Sequence, residues 1–424
     1  MTAMATLARP FGPRYAFVVA AAIFVALVAA AGLRSAPGVL MLPLEHAFGW
    51  DRATVSMAAA VGIFIYGATG PFAAALMQSF GLRRTVTLAL LLMAAATGLS
   101  AVMREPWHYV ATWGVLAGFG SGAVAMVLGA TVVNRWFVAR RGLMTGLLTA
   151  ATATGSLIFL PGMAALAETG GWRPVVLTIA VVTAVLAPLV WLLVPERPQD
   201  IGQQPLGAGP DYVAPVAPPA SSALAVAFGA LARAARTRTF WLLFLGFFVC
   251  GLTTNGLVGT HMIAMCADHG MAETRAASLL ALMGLFDLIG TTASGWLTDR
   301  YDPRKLLFVY YALRGLSLMV LPFTDFSLLA LGFFAVFYGL DWIATVPPTV
   351  RLATEAFGDR DGPVVFGWIA AGHQAGAATA AITAGVLRAA QGRYLEAFVL
   401  AGGAALVAAA ASVLIRRQAA TALA

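Results

Sequence analysis

The 424 residues are 60% hydrophobic and only 10% charged, with a mean hydropathy of +0.86. A soluble domain of this size could not hide so much apolar surface, so the matching solvent is a bilayer. A formal net charge of +8 would suit a nucleic-acid binder, but the basic residues sit singly or in pairs between apolar runs, so no nucleic-acid partner is expected.

Taken in order, twelve apolar segments are long enough to span: roughly 15–43, 53–79, 85–103, 107–134, 141–166, 173–194, 239–266, 274–299, 305–322, 326–354, 362–388 and 393–415. The first is preceded by Arg9 and Arg14, but it is too long for the core of a cleaved signal. The only long polar connection, 195–238, is rich in Pro, Ala and Ser and reads as a cytoplasmic linker loop between two halves, 1–194 and 239–424. With the N-terminus inside, eighteen Lys and Arg fall in inside loops and tails and six in outside loops; Arg34 and Arg314 lie within segments and complete the 26. That asymmetry is what the positive-inside rule requires, and it puts both termini in the cytoplasm, with a bacterial inner membrane as the expected location. Cys250 and Cys266 lie on one predicted helix about 24 Å apart, beyond disulfide reach.

The second and eighth segments end alike. Ala74–Arg84, AALMQSFGLRR, aligns without gaps on Gly295–Lys305, GWLTDRYDPRK, so that Arg83-Arg84 meet Arg304-Lys305. The offset, 295 − 74, is 221 residues, about half the chain, and points to internal duplication. Small residues recur at helical spacing at Gly114, Gly118 and Gly122, at Gly142, Gly146 and Ala150, and at Gly372 and Gly376, where they let helix backbones approach closely.

Gly295, Leu297, Asp299, Arg300, Arg304 and Lys305 resemble the loop motif of the major facilitator superfamily, Gly-x-Leu-x-Asp-Arg-x-Gly-Arg-Arg, with Asp302 and Pro303 in place of Gly-Arg. In the first-half copy Gln78 and Ser79 replace the Asp-Arg pair. Trp136–Gly155 and Phe48-Gly49-Trp50 with Arg52 are similar to the monocarboxylate and oxalate/formate branch, although that family's acid-Gly-Gly-aromatic opening is absent. The resemblance implies an all-α fold of two pseudo-symmetric six-helix bundles, a conformational role for the basic turns, and a secondary transporter of a small organic anion coupled to a proton.

The charges inside segments carry the site. Arg34 offers a permanently charged fork that fits a carboxylate, and by resemblance it stands where monocarboxylate carriers place a lysine. Asp287, in the middle of the eighth segment, matches by resemblance the acid of that family and is the candidate for proton coupling; the arginine four residues later is replaced by Thr291. His261, His373, Asn255 and Tyr66 are further candidates for substrate binding, and Tyr338 and Thr254 are polar handles of unassigned direction. Arg314 and Asp341 sit at comparable depth in adjacent segments and are expected to pair structurally. No phosphate-cradling Gly-Lys-Ser/Thr loop, Cys/His cluster or Gly-x-Ser-x-Gly elbow appears, so neither enzyme nor cofactor is expected. An organic-anion exchanger and a transporter-shaped receptor remain alternatives, and a monomer in the bilayer is expected.

Overall fold

A computed structural model describes residues 12–124, 126–209 and 220–415; Arg9, Arg416 and Arg417 lie outside them, as do the side chains of Gln78, Ser79 and Ala150 and the surroundings of Gly142 and Gly146. The described chain is helical, with one lone parallel bridge between Phe137 and Leu206. The long helices are α1 (Tyr15–Phe48), α2 (Arg52–Ser79), α3 (Leu82–Ser100), α4 (Pro106–Trp136), α5 (Arg141–Gly170) and α6 (Trp172–Leu193). They are followed by α7 (Arg238–Asp268), α8 (Glu273–Arg300), α9 (Pro303–Val320), α10 (Leu328–Gly358), α11 (359–391) and α12 (Leu395–Ser412). Among the described residues ten are long and apolar enough to cross a membrane; α5 and α11 take the two other expected places. From Val346 onward α10 and α11 run on in one helical path to Gln391, kinked at Gly358, whose φ of 79° no helix accommodates.

The two halves repeat each other. α1 packs on α5, α3 on α6 and α2 on α4; in the second half α7 packs on α11, α9 on α12 and α8 on α10. The 221-residue offset holds at single residues. Left-handed glycines end α1 and α7 at Gly49 and Gly270, and flank α5 and α11 at Gly171 and Gly392. A Cβ on Gly118 would lie 3.1 Å from the Gly62 carbonyl and from Ile65; one on Gly339 would meet the offset mates Met283 and Phe286 at 2.7 and 3.0 Å. Lipid tails are as apolar as the helix faces, so this backbone proximity, rather than hydrophobic exclusion, brings the helices together. The halves meet along α2–α11, α5–α8 and α1–α7.

The stretch expected as a linker loop is partly ordered. It holds a 3₁₀ turn at Pro198–Ile201 and a helix at Ala220–Ala234. That helix lays Ala230 and Ala234 into the second half's core, and Phe228 lies between Phe72 of α2 and Trp368 of α11, with ring centroids 6.2 and 5.4 Å away. Alanine is the best helix former, so an Ala-rich linker need not be irregular.

Close packing gives one stability prediction. A Cβ on Gly376 would run into the Phe248 carbonyl, whereas nothing lies within 4 Å of one on Gly332. Gly376→Ala is expected to cost about 1–3 kcal/mol through overpacking, while Gly332→Ala leaves the melting temperature unchanged or slightly raised. Thermal unfolding of the two variants in the same detergent measures the difference.

Candidate functional site

The site lies where α1 crosses α7. Gly38 permits the crossing: a Cβ there would lie 3.0 Å from the Gly259 carbonyl, and Gly38 and Gly259 are themselves offset mates. One turn nearer the end that carries the arginine pairs, the basic end, the same mates are Arg34 and Asn255. Arg34 is half-buried, with its guanidinium carbon 4.9 Å over the ring of Tyr66 on α2. A cation over an aromatic face keeps its charge while its edges stay free to donate. Asn255 is exposed, in a π-helical stretch, Leu252–Val258, where one extra residue per turn turns side chains off the regular helix path. Tyr66 and Asp287 are the next pair related by the offset, so Arg34, Tyr66, Asn255 and Asp287 occupy equivalent depths in the two halves.

Asp287 is buried, and its Oδ1 accepts from Thr291 Oγ1 at 2.8 Å and from the Ile343 amide at 3.0 Å. The sequence offered no local cation for this acid, and Thr291 meets it as a neutral donor. Its long-range partner is a backbone N–H of α10, within an interruption where regular helix stops at Asp341 and resumes at Val346. Pro347 and Pro348 favour a new helix start here, since neither can donate to the Ile343 and Ala344 carbonyls four residues back, and the Ile343 amide lies in the turn before them. Arg314, fully buried on α9, binds the other side of the turn. Its Nε donates to Asp341 Oδ2 at 2.6 Å, its Nη2 to the Asp341 and Trp342 carbonyls, and its Nη1 to Cys250 Sγ at 3.1 Å. Tyr338 Oη donates to the Thr253 carbonyl at 2.8 Å, and Thr254 Oγ1 to that of Cys250 at 2.7 Å, so both handles serve backbone.

His261 lies elsewhere. Both ring nitrogens of buried His261 are engaged, Nδ1 3.1 Å from Tyr394 Oη and Nε2 2.7 Å from the Ala381 carbonyl. His373 is half-buried on α11, its ring 5.1 Å from that of Phe247.

His261 underlies a latch that sequence reasoning missed. At the end opposite the arginine pairs, Arg52 grips Glu45 with two hydrogen bonds, donates to Tyr394 Oη at 2.7 Å and lies 3.6 Å from Asp268 Oδ1. Arg388 Nε donates to Asp268 Oδ2 at 2.8 Å, and Glu168 of α5 accepts from the Thr274 amide of α8 at 2.8 Å. These contacts tie α1, α2 and α5 to α7, α8 and α12, so this end is closed. Arg388 counts among the six outside charges, and Arg52 among them and in the branch resemblance, neither as an inter-half contact; their partners lie up to 342 residues away, and no local spacing announces them.

Breaking a buried ion pair by removing one partner is costly. Arg52→Gln is therefore expected to shift the balance toward opening at this end. Ala381 is fully buried on α11 beneath the latch, so in Ala381→Cys a membrane-impermeant thiol reagent should react roughly tenfold faster or more once Arg52 is changed. The control carries only the native cysteines, both buried.

At the basic end each turn is held within its own half. Asp302 caps α9 at the Arg304 amide and pairs with the Arg304 guanidinium at 2.6 Å, which is the use of the Asp302-Pro303 departure from the motif. Arg300 lies 4.1 Å over the Trp296 ring, Asp299 and Lys305 are exposed, and no atom would crowd a Cβ on Gly295. In the first half Arg83 lies 4.0 Å over Trp191, Arg84 is exposed, and Glu196 accepts from the Leu82 and Arg83 amides and pairs with Arg135 at 3.6 Å.

Comparison with known families decides the class. The profile of the Major Facilitator Superfamily matches residues 22–350 and 253–423. The chain belongs to the Major Facilitator Superfamily. Facilitators similar to it include an uncharacterised transporter of Bacillus subtilis, 24% identical over 81% of each chain. Monocarboxylate transporter 13 of Bos taurus is 27% identical over 91% of this chain and 85% of its own. Monocarboxylate transporter 11 of Mus musculus is 30% identical over 74% and 67%. Among solved facilitators, a bacterial homologue of the human lysosomal transporter Spinster, in an inward-facing and occupied conformation, superposes with a TM-score of 0.75 at 15% identity, covering 96% of this chain and 99% of that one.

Proposed function

We propose that this facilitator is a twelve-helix secondary transporter that moves a small organic monocarboxylate together with a proton by alternating access. The observation that carries the reading is Arg34: a half-buried guanidinium within a membrane helix, fixed over Tyr66 at the α1–α7 crossing and matched across the axis by Asn255. A charge that costs several kcal/mol to bury is retained where it binds something, and a planar fork fits a carboxylate. Relatives whose names carry a ligand support it: the monocarboxylate transporters, and a gallate transporter of Pseudomonas putida, 27% identical over 67% of this chain and 66% of its own. Asp287 is the proton carrier in this reading, since arginine cannot release one.

The basic end is cytoplasmic, in a bacterial inner membrane, and the residues before and after the 195–238 linker form the two moving bundles. The latched conformation is then closed to the outside. The test is counterflow in proteoliposomes preloaded with unlabelled carboxylate. Transient accumulation of labelled monocarboxylate supports the reading; its absence across aliphatic and aromatic carboxylates overturns it.

A further inference from the structure

Three other helices of the second half, α7, α8 and α9, converge on the break in α10, and four of its backbone groups are taken by side chains. Arg314 of α9 donates to the Asp341 and Trp342 carbonyls; Ser294 Oγ of α8 donates to the Ala344 carbonyl at 2.5 Å. Asp287 of α8 accepts from the Ile343 amide at 3.0 Å, and Cys250 Sγ of α7 lies 3.2 Å from Thr345 Oγ1. Within lipid an unwound turn survives only when its polar groups are met this way. The first half has no such cluster at the related positions. The offset mates of Arg314 and Asp341 are Met93 and Gly120, packed so closely that a Cβ on Gly120 would lie 2.7 Å from Met93 Cγ.

The two charged side chains act on opposite sides of the turn. Arg314 holds its carbonyls whatever the pH. Asp287 holds its N–H through a carboxylate oxygen, and a hydrogen bond to an ionised acceptor is about twice as strong as one to a neutral acceptor. Beyond the turn, α10 carries Arg351, whose guanidinium donates to the Thr298 carbonyl immediately before Asp299-Arg300.

We propose that the turn 342–345 is a hinge whose stiffness is set by the charge on Asp287, with Arg314 as the positioning residue that keeps it unwound. The proposal rests on the proton-coupled reading and adds how protonation reaches the basic end. Ionised Asp287 pins the Ile343 amide; a protonated side chain holds it weakly, and the part of α10 that bears Arg351 is freed to pivot against α8. The charged and titratable groups around Asp287 are Arg314 on α9, Cys250 on α7 and Asp341 on α10. Of the other helices packed on α8, α11 brings His373 to Cys250, and α5 meets α8 through Glu168 at the far end.

The test is hydrogen exchange of the full-length protein in lipid nanodiscs, with no substrate, at acidic and alkaline pH after correction for intrinsic rates. Wild type should exchange about fivefold faster in peptides covering 342–357 on acidification, the ratio expected between a charged and a neutral acceptor. Asp287→Asn, which keeps an oxygen facing the amide, should exchange at the fast rate at both values. Thr291→Val removes the other donor to Asp287 and should keep the pH response. Arg314→Lys loses the fork and should raise exchange in 342–345 at both pH values while leaving 328–338 as in wild type. A pH-independent wild type, or a pH response that persists in Asp287→Asn, overturns the hinge. Because no substrate is present, either result can coexist with intact pH-driven uptake, which overturns the hinge alone; an intact hinge without such uptake overturns the transport reading alone.

Discussion

Arg34→Ala is expected to abolish measurable monocarboxylate binding. Truncating one partner of a desolvated charge pair costs about 2–5 kcal/mol, roughly 30-fold or more in affinity, and here the remaining partner is the ligand itself. Arg34→Lys keeps the charge but loses the planar fork and should fall between wild type and Arg34→Ala. Tyr66 separates ring from hydroxyl: Tyr66→Phe preserves the face under the guanidinium and should bind nearly as wild type, whereas Tyr66→Leu removes the face and should weaken binding. Equilibrium binding of labelled carboxylate to purified protein measures all four. Undiminished affinity in Arg34→Ala would return this residue to a packing or topology role.

The second large effect is expected at Asp287. With Arg34 permanently charged, an empty carrier with ionised Asp287 holds a matched but separated pair. An incoming monoanion satisfies Arg34 and leaves Asp287 as an extra buried negative charge, so anion and proton favour each other's binding by linkage, and equally in both directions. The loaded site is close to neutral, which lets the halves rock around it without carrying a bare charge through low dielectric. Asp287→Asn mimics the protonated state. It should still exchange labelled for unlabelled substrate across the membrane, and it should fail to concentrate substrate when an inward proton gradient is applied. Counterflow and gradient-driven uptake on the same proteoliposomes read both. Continued pH-driven accumulation in Asp287→Asn would move the proton elsewhere, with Asp341 beside Arg314 the next carboxylate in reach.

Much of this fold could be read from the chain because bilayer thickness acts on local sequence. Twelve apolar runs and their flanking arginines are visible without knowing any partner, and one repeated basic turn gave an offset that Gly49 and Gly270, Gly171 and Gly392, and Gly118 and Gly339 all obey. Arg34 and Asp287 were visible for the same reason, as charges in apolar runs. What escaped was long-range or broke a local rule. The Arg52–Tyr394 contact spans the two halves and leaves no periodic trace. The segment 326–354 reads as one continuous span although Pro347-Pro348 lie within it; that the turn before the pair would offer its Ile343 amide to Asp287 depends on where α8 packs. His261 had the chemistry of a ligand-binding residue, but its two nitrogens are spent on Tyr394 and Ala381 beneath the latch, a fact of tertiary packing.

In the proposed cycle an organic anion and a proton cross together. The most direct test is the pH inside proteoliposomes that carry a trapped pH dye, with membrane potential clamped, when a monocarboxylate is added outside at equal pH. Wild type should acidify the interior faster than protein-free liposomes, saturably with carboxylate concentration, and Arg34→Ala and Asp287→Asn should both match the protein-free rate. Carboxylate uptake by wild type with no acidification above that background would contradict the account.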